Sequence, residues 1–416
     1  MDGGMHDVLI IGGGLAGWRA AEAALNAGAS VALVANGAGN SPDIHALNVP
    51  VGPGDSVELF IEDTLKSGRG ACDKALVETL CRESVALADE FPWDRNPDGS
   101  FAMLQPVGCS VPRCVSIGHH IGAWALAKIK RDLAGKVDVV QGRVTGIKSQ
   151  IPNLKSQISN FKSEISNLKS EILEVMAKTV VLATGGWCGK YAFSDNPPEL
   201  RGDGIDLAKS LGAALRDMDA VQYEPTVALA PEAVRGIPVI TTMLHEGATF
   251  RNALGEEFLP DKHANKDAIS NAIFAEIKAG RGVAAPAGGS GMQPQYRGAG
   301  ASSPAGVWFD ATGVEPDVLR TRYADTVRRY AACGVDITRE PMLVAPAPHT
   351  SLGGVAIDTS CRVLRPDGSP IPGLFATGEV TGGIHGLNRI GGNAGTEVLV
   401  FGRIAGQSAA AFANAS

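Results

Sequence analysis

The first 35 residues alternate between apolar runs and glycine in a way that predicts a strand–turn–helix–strand unit. Residues 8–11 form a short apolar run typical of a buried strand, and residues 12–17 are rich in glycine. Apolar residues then recur at helical spacing over 18–27, and a second apolar strand follows over 29–35. We therefore expect the chain to begin with a β-α-β unit of a parallel α/β sheet.

A second concentration of glycine lies near the other end of the sequence and again stands between apolar segments. Residues 374–377 are typical of a short strand and residues 398–412 of an apolar helix, with seven glycines between 378 and 395. Glycines at this density allow backbone N–H groups to approach a flat or anionic ligand closely. Because Glu379 and Arg389 lie within the same run, we interpret this stretch as the floor of a cofactor site.

Between these two stretches, the pattern predicts amphipathic helices and further strands. A buried strand begins at Thr179 and runs into a glycine turn. Residues 280–306 are rich in Gly, Ala, Ser and Pro, and we expect a long mobile loop there. The other predicted elements are helices over 55–71, 72–90 and 317–333 and a strand over 138–147.

Residues 148–176 stand apart because they contain three seven-residue repeats, IPNLKSQ, ISNFKSE and ISNLKSE. Their apolar residues alternate spacings of three and four, which is the heptad pattern of a helix that packs against a partner. We therefore predict an inserted helix or helical hairpin. Self-association through residues 150–174 is one role for it, and a repeat expansion without a role is the alternative. The apolar positions of the repeat are Ile151, Leu154, Ile158, Phe161, Ile165, Leu168 and Ile172.

Composition and charge narrow the classes of function. The 416 residues are 44% hydrophobic, enough for a substantial core in two or three packed units. A formal net charge of −7 argues against a nucleic-acid binder, which normally shows a basic face. No uninterrupted apolar run approaches the ~20 residues of a membrane helix. The first residues also lack a secretory signal, so we expect a cytoplasmic protein with no membrane span.

Seven cysteines are scattered along the chain without any C-x-x-C pair. This pattern is typical of a reduced protein and not of a disulfide framework or an iron–sulfur site, so we predict no metal. Cys109 and Cys114 are the only close pair, and packing is favoured over a redox or metal role for them.

The glycine turn forms a GxGxxG motif between a strand and a helix, which is the context of a dinucleotide-binding unit. Gly12 permits the tight turn, Gly14 lets the backbone approach a pyrophosphate, and Gly17 allows close helix–strand packing. Phosphate charge would meet the positive end of the helix dipole. An acidic residue that would hold the ribose is absent after the second strand. Asn36 follows that strand and offers a weaker hydrogen bond, which argues against a simple NAD dehydrogenase.

The segments GLFATGEVTGG and HGLNRIGGN resemble the flavoprotein family of fumarate reductases, succinate dehydrogenase flavoprotein subunits and L-aspartate oxidases. The sequence ATGG at 183–186 is a second hallmark of that family. The resemblance implies an α/β fold in which a Rossmann-like FAD-binding domain, with a three-layer, mostly parallel sheet, carries an inserted α+β capping domain. It implies an FAD-binding domain over 1–225 and 349–416 and a capping, substrate-binding domain over 226–348.

FAD is the cofactor that the resemblance implies. In membrane-bound family members a histidine after a serine bonds the flavin covalently. Here Pro42 follows Ser41 and His45 is displaced, so we predict non-covalent FAD. A helix start near Asn393 would stabilise negative charge on the reduced ring. The residues expected to contact FAD are Gly12, Gly13, Gly14, Ala16, Gly17, Asn36, Val144, Ala183, Thr184, Gly185, Asp203, Gly378, Glu379, Asn393 and Thr396.

Three side chains are expected to act on the substrate. In the resembling family, the arginine that matches Arg389 clamps a substrate carboxylate, because its fork matches two carboxylate oxygens. The histidine that matches His349 binds the substrate, and Lys266 replaces an arginine that delivers a proton. The alternatives are a structural hydrogen bond to the loop for Arg389 and His349, and a solvated surface position for Lys266.

Two further cap positions depart from the family pattern, because an acidic relay residue has become Thr241 and its arginine partner Leu244. The main hypothesis is an FAD-dependent oxidoreductase of fumarate reductase or L-aspartate oxidase type that moves a hydride between flavin N5 and a small carboxylate. The departures leave two alternatives open: the same fold acting on a non-dicarboxylate substrate, or an electron-transfer flavoprotein subunit without substrate turnover. No haem motif is present, so we expect a soluble electron donor or acceptor, a partner protein or oxygen.

Overall fold

The computed structural model describes residues 5–118, 120–150, 160–166, 172–286, 294–296 and 304–415. Within these ranges helices and strands alternate, as an α/β protein requires. The helices are α1 Leu15–Asn26, α2 Val57–Ser67, α3 Lys74–Ser84, α4 Leu87–Glu90, α5 Ile121–Asp132, α6 Asp203–Ser210, α7 Lys266–Lys278, α8 Pro316–Thr321, α9 Ala324–Ala332 and α10 Asn393–Ala415. The strands are β1 His6–Ile11, β2 Val31–Ala35, β3 Leu47–Asn48, β4 Cys114–Val115, β5 Asp138–Gln141, β6 Arg143–Gln150, β7 Asn160–Ser166, β8 Ile172–Leu182, β9 Leu215–Arg216, β10 Val221–Ala230, β11 Thr249–Arg251, β12 Val283–Ala284, β13 Ala305–Asp310, β14 Met342–Ser351, β15 Gly354–Val355, β16 Arg362–Leu364 and β17 Pro370–Ala376.

These elements form two compact units. The first unit comprises Met1–Trp187, Glu199–Ala220 and Ser351–Ser416. The second comprises Cys188–Pro198 and Val221–Thr350. The first unit is therefore assembled from three separate parts of the chain.

The main sheet of the first unit has the strand order β16-β17-β8-β1-β2-β5. Strands β17, β8, β1, β2 and β5 run parallel, and β16 pairs antiparallel with β17. Strands β6 and β7 continue the sheet antiparallel from the first half of β8. A mostly parallel sheet with helices between its strands confirms the predicted α/β class.

The predicted β-α-β unit at the start of the chain is confirmed. Ile10 of β1 lies beside Leu33 of β2, and all five side chains of β2 are buried. A strand buried on both faces needs apolar residues throughout, which explains the continuous run VALVA. Helix α1 begins at Leu15, inside the predicted glycine turn, because the turn closes within three residues.

Helices α1 and α10 approach each other closely through glycine. A Cβ atom placed on Gly406 would lie 2.2 Å from the carbonyl oxygen of Ala20. A Cβ atom on Gly402 would lie 2.9 Å from the carbonyl oxygen of Ala16. The two helices thus pack backbone to backbone, and this contact joins the N-terminal and C-terminal parts of the first unit.

The predicted heptad helix is wrong for the described part of residues 148–176. Residues 160–166 form β7 and residues 172–182 form β8, and the two pair antiparallel. Strand β6 pairs with the other side of β7, so this region is a β-meander. Residues 151–159 and 167–171, which hold the remaining repeats, lie outside the described residues. Self-association through 150–174 was inferred from the helix and therefore loses its basis.

The second unit is built on a sheet of strand order β10-β14-β13-β11, with β12 beside β13. Helix α7 covers this sheet with Ile269, Ile273 and Ile277, which share a core with Val307 and Phe309 of β13. Much of the loop predicted over 280–306 lies outside the described residues, and its described ends include β12 and the start of β13. Across the described parts of both units, no helix is long and apolar enough to cross a membrane.

Candidate active site

The glycine turn brings the ends of two parallel strands and the start of α1 to one place in the first unit. The N–H of Gly12 donates to the carbonyl of Val34 at 2.9 Å, and Gly12 has a φ of +132°. A Cβ atom on Gly12 would lie 2.0 Å from the carbonyl oxygen of Ala183. One on Gly17 would lie 2.1 Å from the carbonyl oxygen of Gly12. Side chains are therefore excluded at both positions, and the backbone itself forms the surface of the turn.

Helix α1 presents its N-terminus at the same place. Gly14 occupies the N-cap position in an extended conformation, and no side chain caps the helix from that position. The N–H of Leu15 donates to the hydroxyl of Ser41 at 2.8 Å. Gly13 packs against the carbonyl of Gly37, and Ala16, the second residue of the helix, is buried. Backbone N–H groups at a helix start attract phosphate, so this geometry suits a pyrophosphate.

The end of β8 adds an unsatisfied polar atom to this region. The N–H of Ala183 donates to the carbonyl of Ile11 at 2.8 Å, which places residues 183–185 beside the glycine turn. Gly185 has a φ of +75° and continues the turn. The hydroxyl of Thr184 is buried and has no hydrogen-bond partner among the described residues. A buried hydroxyl without a partner costs stability, and a polar ligand atom would satisfy it.

The start of α10 forms a third part of the site. The side-chain NH₂ of Asn48 donates to the Oδ1 of Asn393 at 2.7 Å, and the backbone N–H of Asn48 donates to the hydroxyl of Thr396 at 2.9 Å. The Oδ1 atom of Asn48 is buried and lacks a hydrogen-bond partner in the described chain. Gly392, with a φ of +90°, lies against the Asn48 side chain. The N-terminus of this long helix therefore also faces polar atoms whose hydrogen bonds are incomplete.

Gly378 and Glu379 follow β17 and lie near the first two parts of the site. A Cβ atom on Gly378 would lie 3.0 Å from the Cβ of Ala16, so the chain passes close over α1. The carboxylate of Glu379 accepts hydrogen bonds from the backbone N–H and the hydroxyl of Ser351, both at 2.9 Å. It also fills the space beside Gly186, where a Cβ would lie 2.2 Å from it. Glu379 thus braces the loop after β8.

Three further residues predicted to bind the cofactor lie directly after β2, in β6 and at the start of α6. Asn36 follows β2 and is exposed, and Val144 is buried in β6. Asp203, at the start of α6, accepts two hydrogen bonds of 2.7 Å from the guanidinium of Arg143. That ion pair links α6 to β6. A ribose contact by Asn36, an adenine contact by Val144 and an FAD contact by Asp203 remain predictions.

Arg389 lies in a loop that α2 holds in place. The hydroxyl of Ser67 donates to the carbonyl of Asn388 at 3.0 Å, and the N–H of Leu387 donates to the carbonyl of Gly68 at 3.1 Å. Arg389 itself is half-buried, and the following Ile390 is buried. The two residues before Arg389 are therefore anchored to the end of α2 through their backbone, and the buried Ile390 follows Arg389.

Helix α2 is fixed in turn by a buried ion cluster. The guanidinium of Arg113 lies 3.0 Å from a carboxylate oxygen of Asp55 and 2.9 Å from one of Asp63. Asp63 also accepts from the backbone and the hydroxyl of Ser110, at 2.8 and 2.6 Å. Removal of Arg113 would leave two buried carboxylates without a counter-charge, and the loss of such a partner typically costs about 3–5 kcal/mol. The cluster therefore makes α2 a rigid support for the Arg389 loop.

His349 belongs to the second unit and is oriented by a carboxylate. Its Nδ1 atom lies 2.7 Å from the carboxylate of Asp195, whose side chain is almost fully buried. The NH₂ group of Asn196 donates to Asp195 at 2.9 Å and to the carbonyl of His349 at 2.8 Å. An ionised carboxylate only accepts hydrogen bonds, so Nδ1 donates and Nε2 is the atom directed elsewhere.

Lys266 also belongs to the second unit, at the start of α7, and its ammonium group is paired with the carboxylate of Glu224. The other oxygen of Glu224 accepts from the hydroxyl of Thr241 at 2.8 Å. Burial would raise the pKa of Glu224, but the charges of Lys266 and His349 and these hydrogen bonds outweigh it and hold that pKa below its usual value. Glu224 is therefore ionised at neutral pH, and Lys266 is not simply a solvated surface lysine.

Glu224 and Asp195 are polar residues that the sequence patterns did not reveal. Glu224 stands inside the otherwise apolar strand VQYEPTVALA, and an acid at such a position is itself a signal of a buried partner. Asp195 has no comparable signal, because its partner His349 lies 154 residues away. Leu244 is buried in the core of the second unit, so it has a packing role.

Cys109 and Cys114 are both buried, and burial raises the pKa of each thiol to about 12. Their reactive thiolate forms are therefore scarce at neutral pH. None of the seven cysteines, all of which are described, forms a disulfide. In the described ranges no group of His, Cys, Asp or Glu side chains could hold a metal ion.

The first unit therefore gathers a glycine turn, two helix N-termini and incompletely bonded polar atoms of Thr184 and Asn48. These features fit a dinucleotide cofactor. The second unit gathers the polar group of Asp195, His349, Glu224, Thr241 and Lys266.

Comparison with known sequences agrees with this site. Residues 7–394 match the family described as FAD binding domain. An uncharacterised FAD-dependent oxidoreductase of Methanocaldococcus jannaschii is 31% identical, over 98% of this chain and 72% of the relative. An L-aspartate oxidase of Caulobacter vibrioides is 30% identical, over 97% of this chain and 76% of the relative. One component of the fumarate reductase (CoM/CoB) of Methanothermobacter marburgensis is 31% identical, over 97% and 72%.

Solved structures agree as well. A mutant of the E. coli quinol fumarate reductase FrdA superposes with a TM-score of 0.84 at 26% identity, over 100% of this chain and 71% of that chain. A flavocytochrome c3 fumarate reductase in an open conformation gives a TM-score of 0.72 at 29% identity, over 98% and 78%. The family match, the relatives and the glycine site lead to one conclusion: the chain is an FAD-dependent oxidoreductase and belongs to the fumarate reductase and L-aspartate oxidase type.

Proposed function

We propose that this enzyme moves a hydride between non-covalently bound FAD and a carbon atom of a small carboxylate substrate. FAD, when bound, supplies the hydride acceptor or donor at its N5 atom. The observation that carries the proposal is the Arg389 loop. It places the half-buried Arg389 a few residues before the N-terminus of α10, directly after two backbone anchors to the end of α2.

Arg389 would bind and orient the substrate carboxylate. A guanidinium presents parallel N–H donors that match the two oxygens of a carboxylate, and it stays charged at all working pH values. Fixed orientation matters because hydride transfer needs the reacting carbon held in one place. The anchors at Asn388 and Leu387 restrict the loop, so they support that role.

His349 and Lys266 would form hydrogen bonds with the substrate or exchange a proton with it. Asp195 holds the imidazole with Nδ1–H donated, which leaves Nε2 to accept a proton or a hydrogen bond from the substrate. Lys266 remains a candidate proton donor, held in position by Glu224. The names of the relatives include both fumarate reductase and L-aspartate oxidase, so we propose a substrate of this size class without fixing the direction of transfer.

A soluble electron donor or acceptor, a partner protein or oxygen would complete the electron balance. We also propose a cytoplasmic location, because seven scattered thiols without a disulfide suit a reducing compartment.

Non-covalent attachment predicts that denaturation releases the cofactor. Pro42 follows Ser41 and has no group that can bond a flavin, and the ring of His45 lies 5.5 Å from that of His120. After acid precipitation of the yellow protein we expect all the flavin in the supernatant as intact FAD, measured by absorbance and chromatography. Flavin that remained on the pelleted chain would contradict the prediction.

The function itself is tested with the flavin as the indicator. Under anaerobic conditions, photoreduced protein should be reoxidised by an unsaturated acid such as fumarate or its monoamide, and oxidised protein should be bleached by a saturated or amino acid such as succinate or aspartate. Propionate, which carries the carboxylate but no double bond, is the control for the first assay. If no acid of the series changes the flavin spectrum in either state, the proposal fails, and an electron-transfer flavoprotein without substrate turnover becomes the better account.

A further inference from the structure

The second unit contains two basic side chains that are each paired with a carboxylate. The side chain of Lys266 is 39% exposed, while its partner Glu224 is only 8% exposed. The side chain of His349 is 31% exposed, while its partner Asp195 is only 4% exposed. In both pairs the basic group is accessible to solvent and the acid is buried.

The two pairs also influence each other. Glu224 stands on β10 and His349 on β14, which are neighbouring strands of one sheet, and a positive charge on His349 lowers the pKa of Glu224. Hydrogen bonds from Thr241 and Thr226 further stabilise the ionised form of Glu224. Two carboxylates therefore face one ammonium and one imidazole. This group has a net charge of zero if the imidazole is protonated and −1 if it is neutral.

These four side chains together are poorly suited to bind a substrate carboxylate. A carboxylate would have to compete with Glu224 for the ammonium of Lys266 and would meet a second fixed negative charge. By contrast, Nε2 of His349 offers an acceptor and the ammonium of Lys266 offers donors. An uncharged group that both donates and accepts hydrogen bonds, such as a carboxamide, satisfies both.

We propose that Glu224 is a specificity-determining residue: it cancels the charge of Lys266, so that the second unit recognises an uncharged polar group of the substrate and rejects a second carboxylate. This inference rests on the proposed function, because it concerns the same substrate. The substrate class is then a small monocarboxylate with an amide or hydroxyl group.

Fumarate and fumaramate, its monoamide, are the probes, because they differ only in one carboxylate and one carboxamide. For the wild-type holoenzyme we expect fumaramate to perturb the spectrum of the oxidised flavin at lower concentration than fumarate, by roughly 10-fold or more. It should likewise reoxidise the photoreduced flavin faster. In Glu224→Gln the freed ammonium of Lys266 attracts a carboxylate, and we expect the preference to shift toward fumarate by about 10- to 100-fold.

Two further variants separate charge from packing. Glu257→Gln removes the same charge from the same unit at an exposed pair with Arg251, and should leave the preference unchanged. The double variant Glu224→Gln/Lys266→Gln removes both charges of the buried pair, so it should not gain affinity for fumarate. Thermal unfolding of each variant shows whether the unit is intact.

The outcomes are distinct. A wild-type preference for fumarate overturns this inference alone, as does a Glu224→Gln preference equal to that of Glu257→Gln. A gain of fumarate binding in the double variant overturns it too, because no freed cation would explain the gain. If neither probe affects the flavin of any variant while another acid of the series does, this inference is overturned and the proposed function stands. If no acid of the series affects the flavin, the proposed function is rejected and the inference falls with it.

Discussion

Gly12→Ala should yield a protein that has lost FAD. Alanine is strained at a φ of +132°, and its Cβ would lie 2.0 Å from the carbonyl oxygen of Ala183. Strain and overpacking of this kind typically cost about 2–5 kcal/mol, which only movement of the turn can relieve. Because the turn positions the start of α1, we expect FAD affinity to fall on the order of 100-fold or more, measured by titration of flavin fluorescence.

Two variants make this result interpretable. Gly28→Ala also places alanine at a positive φ, of +85°, but its Cβ would meet nothing within 4 Å. It should lose about 1 kcal/mol of unfolding free energy and keep FAD. Gly14→Val tests the site without straining the backbone, because Gly14 has a φ of −76° that valine tolerates. Its side chain would stand at the start of α1 and should weaken FAD binding in a folded protein. Normal FAD binding by both Gly12→Ala and Gly14→Val would show that the cofactor does not lie at this turn.

Arg389→Lys should lose binding of the substrate carboxylate while FAD remains bound. Lysine keeps the positive charge but cannot make two parallel hydrogen bonds to one carboxylate. Loss of one charge-assisted hydrogen bond costs about 1.5–3 kcal/mol, so we expect roughly 10- to 150-fold weaker binding and a comparable loss of kcat/KM. Titration of the oxidised flavin with the acid that proves to be the substrate measures the loss of binding. Anaerobic reoxidation of the reduced flavin measures the loss of kcat/KM.

Arg362→Lys is the matched control for this change. Arg362 makes an exposed ion pair with Asp358 on β16 of the same unit, and its replacement should leave both FAD and acid binding intact. Loss of FAD from Arg389→Lys would instead make Arg389 a cofactor residue. Unchanged acid binding would remove it from the substrate site.

The parts of the fold that follow from local pattern were predictable. The strands around the GxGxxG turn have apolar side chains on both faces, and a turn that excludes side chains has to be glycine, so both features are written in consecutive residues. For β1 and β2, which pair with each other and lie close together in the sequence, sequence reasoning succeeded.

The helix prediction for the repeat region was wrong because other strands of the sheet decide its structure. Its seven-residue period predicts a helix, but β7 pairs with β6 on one side and β8 on the other. A strand between two neighbours has its backbone hydrogen bonds fixed by other segments, and these outweigh the modest helix propensity of Ser and Asn. The period of a sequence repeat does not show which other segments of the chain will pair with it.

The buried acids of the candidate site were missed for a related reason. The partner of Glu224 lies 42 residues away and that of Asp195 lies 154 residues away. The position of Glu224 within a strand signals its burial but does not identify its partner, and the sequence around Asp195 shows neither. Only the folded structure shows that Lys266 and His349 are both backed by negative charge.

The packing of α1 against α10 also sets the order in which the chain becomes folded during synthesis. Strand β1 can pair with β2 early, but its other neighbour β8 ends at residue 182, and α1 packs against α10 only when Gly402 and Gly406 have been made. Residues up to 406 must therefore be synthesised before the N-terminal strand and helix acquire all their native neighbours, whereas most of the second unit is one continuous stretch that is complete earlier. Nascent chains arrested before α10 should be protease-sensitive at their N-terminal end, where the finished protein is protected.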